Sequence, residues 1–80
     1  MKMYVVWQKD SKNVAIMDIT KMVDDTMKEQ PELQRVVVAN AIMDLANADC
    51  IITADNEEQM LDMFPNAEIR YEKDHNKEVH

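Results

Sequence analysis

The sequence predicts an α+β (or small α/β) domain, a mixed sheet of about four strands with two to three helices in the order β-β-α-α-β-α-β. Three observations lead to it. The chain opens on "MYVVWQK" and "VAIMDI", two β-branched and aromatic runs around a polar loop. The middle carries apolar residues at helical spacing, with Pro31 at the joint between two such patterns. The last part, "CIITADNEEQMLDMFPNAEIRYE", reads as strand, short helix and strand.

Taken in order, Met3, Val5 and Trp7 alternate with Tyr4, Val6 and Gln8 along the first strand. "DSKN" then turns the chain, Asn13 supplying the tolerance for left-handed backbone that glycine would normally provide. "VAIMDI" completes a hairpin. Asp18 or Thr20 is placed to cap the first helix, whose stripe is Ile19, Met22, Val23 and Met27. That helix ends before Pro31, because a residue preceding proline is pushed out of the helical region. Pro31 suits the first position of a second helix running through Leu33–Ala48. Its Val36–Val38 run has β character, so a strand over 33–39 is the rival assignment.

"CIITA" is short and apolar enough to be a central strand. In "DNEEQ", Asp55 stands where an N-cap belongs, with Glu58 three residues on as in a capping box. Met60, Leu61, Met63 and Phe64 line one side of the helix that follows, and Pro65 ends it. "EIRYE" closes the fold, Ile69 and Tyr71 facing one way and Glu68, Arg70 and Glu72 the other. The expected organisation is a single domain over 1–72 and a flexible tail over 73–80. The helices are expected to cover one face of the sheet, with Met22, Met27, Met43, Met60 and Met63 filling an irregular core.

Composition narrows the chemistry. The formal charge of −7 repels phosphate backbones, so direct DNA or RNA binding is not expected. The charge is uneven: residues 1–17 hold three lysines and one aspartate, whereas 49–80 hold nine acids against three bases. Glycine is absent, which removes the phosphate-cradling loops of nucleotide-binding folds. Cys50 is the single cysteine, so no intrachain disulfide forms, and its apolar setting suits a buried thiol in a reducing cytoplasm. No leading stretch combines a basic region, an apolar block and a small-residue cleavage site, and no window is apolar enough to span a membrane.

Nucleophilic catalysis has candidates in type only. Cys50 and Ser11 lack a held base, since His75 and His80 fall in the expected tail, and no cysteine or third histidine completes a metal set. No enzymatic activity, cofactor or metal is therefore expected. The weight falls instead on surfaces. The acids Asp55, Glu57, Glu58 and Asp62, with Asp24, Asp25 and Glu29, are the candidate contacts for a protein partner with a basic surface. They could present carboxylates where that partner expects phosphates. Asn40, Asp44 and Asn47 fall within about 60° of one another at about 100° per residue, a polar strip that forms either a solvent-facing edge or the seam of a pocket or interface. The apolar breadth of the same helix points to a homodimer. Trp7 packs in the core or, on an edge strand, anchors an interface.

Small, acidic and glycine-free, the chain resembles in general character the inhibitor and accessory proteins of phages and mobile elements. The expected function is thus that of a small acidic non-catalytic binding protein. The alternative is a regulatory domain that binds a metabolite at an oligomer interface.

Overall fold

Alternation along the first strand is resolved by covering it on both sides. In the computed structural model, which describes residues 1–10 and 12–71, β1 (Lys2–Gln8) forms an antiparallel hairpin with β2 (Val14–Asp18), with Val5 opposite Met17 and Trp7 opposite Ala15. The chain continues through α1 (Thr20–Glu29), α2 (Arg35–Leu45), β3 (Cys50–Ala54), α3 (Glu57–Met63) and β4 (Glu68–Arg70). The four-stranded sheet has the order β3-β1-β2-β4, β3 lying antiparallel to β1 and β4 parallel to β2. The expected element order and mixed sheet are what the structure shows.

The helices do not share one face. Val5 on β1 is buried with Ile19, Val23, Val38 and Ala39 beneath α1 and α2, whereas Tyr4, Val6 and Ile16 are buried with Ala54 and Met60 beneath α3. The expectation of a single covered face is corrected, and the topology gives the reason. From β2 to β3 the chain crosses the sheet one way, and from β3 to β4 it returns the other way. Crossovers between parallel strands are right-handed, and two of one hand running in opposite directions must lie on opposite faces. Full burial of Tyr4, Val5 and Val6 in the central strand follows, each apolar side chain contributing roughly 1.5–3 kcal/mol.

The same arrangement corrects the place of β3. It is an edge strand, and its residues are apolar because a helical layer lies on each face. The helix termini also shift. Pro31 stands in a turn closed by the Leu33 N–H donating to the Gln30 carbonyl at 3.1 Å, and α2 begins only at Arg35. Val36–Val38 are helical, so the strand alternative for 33–39 is set aside. At the N-terminus of α1 the Asp18 carboxylate accepts from the Thr20 N–H at 2.8 Å, while the Thr20 hydroxyl accepts from the Met3 N–H at 3.0 Å. The N-cap position is Ile19, with no side-chain cap bond, so neither Asp18 nor Thr20 caps the helix as expected: Asp18 holds the first turn from outside it and Thr20 ties it to β1.

The α2 C-terminus shows how a chain without glycine ends a helix. Asn47 adopts φ 57°, its N–H donates to the Asp44 carbonyl at 3.2 Å, and the Ala48 N–H donates to the Met43 carbonyl at 3.0 Å. These are the two bonds of a Schellman motif, with asparagine in the left-handed position. At α3 the cap is Asn56, one residue later than expected: its side-chain oxygen accepts from the Gln59 N–H at 2.8 Å. Gln59 reaches back, accepting from the Asp55 N–H at 2.7 Å. Amide side chains make the reciprocal pair, and Asp55 and Glu58 are left free to face solvent.

Candidate functional site

One concave feature follows from what the helices leave bare. α1 and α2 lie over β1 and β3, and the row Trp7, Ala15, Glu68 continues past them across β1, β2 and β4 to the sheet edge. A groove of about 470 Å³ opens there, lined by Trp7, Ala15, Glu68 and Arg70 from the sheet, Lys9, Lys12 and Asn13 from the hairpin turn, and Asn66 from the turn before β4.

Each wall is held from behind. The Trp7 indole N–H donates to the Ala46 carbonyl at 2.8 Å, fixing the ring against the end of α2. The Arg70 guanidinium lies 4.9 Å from the centroid of that ring, a cation–π distance. Its Nε sits 4.0 Å from the Glu68 carboxylate. In the hairpin turn, the Asp10 carboxylate accepts from the Lys12 N–H at 2.8 Å, the Asn13 N–H at 2.9 Å and the Asn13 side-chain amide at 2.8 Å. The Asn13 amide, then the Lys12 backbone N–H, hold the Asp10 carboxyl below the usual carboxylate range. Lys9 and Lys12 make no ion pair among the described residues.

The acidic residues singled out in the sequence do not come together. Asp55, Glu57, Glu58 and Asp62 are exposed on and just before α3, while Asp24, Asp25 and Glu29 lie on α1 over the opposite sheet face. Asp24 pairs with Arg35. The four α3 carboxylates have no ion-pair partner among the described residues. Met63, expected inside, is 48% exposed beside them, because α3 is one short helix over a narrow core and only Met60 on it is fully buried.

Asn40, Asp44 and Asn47 are exposed and do not line the groove; Asn47 is accounted for by the helix end. Beside them runs an apolar stripe. Val37 is 50% and Leu45 90% exposed, with exposed Ala41 one turn from each. Tyr71, expected to face the same way as Ile69, lies just past the end of β4 at Arg70 and is 77% exposed. Trp7 is half-buried against the α1–α2 layer.

Two groups have shifted titrations outside these surfaces. Burial, then the nearby Asp49 charge, pushes the half-buried Cys50 thiol up, which leaves less thiolate at neutral pH. Burial, then Asp18 and Glu57, raises the Tyr4 phenol. Among the described residues no group of three or more His, Cys, Asp or Glu side chains could hold a metal ion, and no helix is long and apolar enough to cross a membrane. Ser11, Glu72, His75, His80 and the expected tail lie outside the described residues.

Comparison with protein-family models, curated proteins and solved structures finds no match to this chain.

Nothing in the local sequence points to the groove as a unit. The excess of lysine near the start is visible, but Arg70 joins Lys9 and Lys12 only through the β2–β4 pairing that sets Met17 opposite Arg70.

Proposed function

We propose that this chain is a small acidic, non-catalytic binding protein that docks the outer surface of α3 on a basic surface of a partner protein. One observation carries the reading: Asp55, Glu57, Glu58 and Asp62 are all exposed, and no described cation pairs with any of them. On α1, by contrast, Asp24 pairs with Arg35, and Asp25 and Glu29 share the helix with Lys21 and Lys28, whereas α3 carries no base. Four like charges left uncompensated on a short segment raise the local potential, which speeds encounter with an opposite charge and repels like-charged surfaces. Half-exposed Met63 supplies an apolar contact at the edge of the acids.

Affinity capture from lysate with three baits tests this: the natural chain, Glu57→Lys with Asp62→Lys on α3, and Asp25→Lys with Glu29→Lys on α1. The expected result is a basic protein retained in stoichiometric amount by the natural and α1-reversed baits, lost with the α3-reversed bait, and eluted by salt. Release by duplex DNA would show that the acids stand in for phosphates. Capture indifferent to the α3 reversal contradicts the reading.

The exposed stripe Val37, Ala41 and Leu45 supports a second surface, for a second copy of the chain. Along α2 only Arg35 and Asp44 are charged, so this is a face that two copies of charge −7 can bring together. Leu45→Glu should then lower the mass seen by sedimentation equilibrium from dimer to the 9.3 kDa monomer. A natural chain that is monomeric at millimolar concentration would end that reading. Under the alternative, a metabolite held at the same boundary would meet Asn40 and Asp44.

A further inference from the structure

We propose that the groove between the hairpin turn and β4 is a binding site for a small organic phosphate, the phosphate monoester seated among Lys9, Lys12 and Arg70. It concerns residues away from α3, so it and the docking reading stand or fall separately.

The charge of the lining is the first reason. In a chain of net charge −7, this groove gathers three cations against one carboxylate, Glu68. A concave surface of one sign with low-dielectric walls focuses its field and raises the local concentration of a counter-charged ligand. Three cations placed together repel one another, and no ion pair with Lys9 or Lys12 relieves this among the described residues. A dianion between them does.

Preorganisation is the second. Arg70 is oriented by stacking on Trp7, and Trp7 is in turn pinned by its bond to Ala46. Glu68 approaches the guanidinium at Nε, and the Arg70 side chain donates no hydrogen bond among the described residues, so its terminal N–H groups are available as a fork for phosphate oxygens. Asp10 orders the turn that carries the lysines, its carboxylate occupied by the three bonds it accepts. The amide of Asn66, with no side-chain hydrogen bond among the described residues, adds a neutral donor at the rim.

Size and the rest of the surface choose between sources of phosphate. The groove, about 470 Å³, falls in the range of roughly 300–1,000 Å³ that holds small organic ligands. A nucleic-acid backbone needs many phosphate contacts along a track, and the net charge of −7 opposes one.

Trp7 is the only tryptophan and lines the groove, so its fluorescence reports occupancy. The natural chain is titrated with ribose 5-phosphate, with neutral ribose and inorganic phosphate alongside, and with a short single-stranded oligonucleotide. Expected is a saturable change with ribose 5-phosphate, none with ribose, and a weaker response to inorganic phosphate. Lys9→Ala with Lys12→Ala, both exposed on the turn, should weaken binding about tenfold or more while circular dichroism stays unchanged. Arg70→Lys, which keeps the charge but not the fork, should also weaken it. No saturable change up to about 10 mM, equal response to ribose, or affinity unaltered in the double variant would overturn the proposal. Tighter binding of the oligonucleotide than of ribose 5-phosphate would also overturn it and assign the groove to a nucleic-acid strand.

Discussion

Replacing Asn47 tests the helix ending that this glycine-free chain relies on. Asn47 is exposed and holds φ 57°, so a substitution there changes backbone strain while removing little packing. A left-handed conformation costs an ordinary L-residue about 1–2 kcal/mol, and asparagine pays less because its short polar side chain bonds locally. Asn47→Val should therefore destabilise the fold by about 1–2 kcal/mol. Asn47→Gly relieves the strain but loosens the unfolded chain by roughly 0.5–1 kcal/mol, which places it between neutral and slightly stabilising. For a domain of this size each ~1 kcal/mol moves the melting temperature by roughly 4–8 °C. Urea and thermal unfolding followed by Trp7 fluorescence read the difference, and Trp7 bonds to the adjacent Ala46 carbonyl, so the signal reports on this helix end as well. A valine variant as stable as the natural chain, or a glycine variant less stable than the valine one, would refute the left-handed assignment.

At the start of α3, Asn56→Ala should cost about 0.5–2 kcal/mol while Asp55→Ala costs less, because only the Asn56 side chain accepts the Gln59 N–H; the reverse order by urea unfolding would return the cap to Asp55. The raised Cys50 thiol predicts slow alkylation by iodoacetamide at pH 8 in the folded chain and fast alkylation in urea. Because its folded pKa lies above the unfolded value, the neutral thiol favours folding below about pH 8.5. That contribution is lost as pH rises through the folded value. A folded thiol that alkylates as fast as the unfolded one would contradict this. The depressed Asp10 carboxyl works in the opposite sense: its bonds hold the hairpin turn above the ordinary carboxylate range and are lost as pH falls through its lowered value, which amide shifts of Lys12 and Asn13 should report.

Element order was readable because each segment has one dominant signal: alternation in β1, a stripe in α1, proline between helices. Register and layering were not, since they depend on where the chain goes between elements. The apolar run of β3 means burial on both faces, which a central strand and a doubly covered edge strand satisfy equally. Met63 and Tyr71 sit at apolar positions in pattern, yet α3 and β4 are too short to cover them. Asp55 and Asn56 are both good capping residues, and only the geometry of Gln59 separates them. The seam Asn40, Asp44 and Asn47 was legible as an exposed strip, but the role of Asn47 in ending the helix needed its φ angle. Of the candidate sites, the acids were visible as composition, whereas the groove required Arg70 to be carried beside the hairpin by the parallel pairing of β4.

Photo-crosslinking from defined positions tests the proposed docking of α3 on a basic partner. A photoreactive residue is placed at Glu58 on α3 in one sample and at Asp25 on α1, across the sheet, in another, and both are irradiated in lysate at low salt. One adduct with a basic protein is expected from position 58, suppressed by salt, and none from position 25. Adducts from position 25 alone, the same adducts from both positions, or no adduct from position 58 would contradict it.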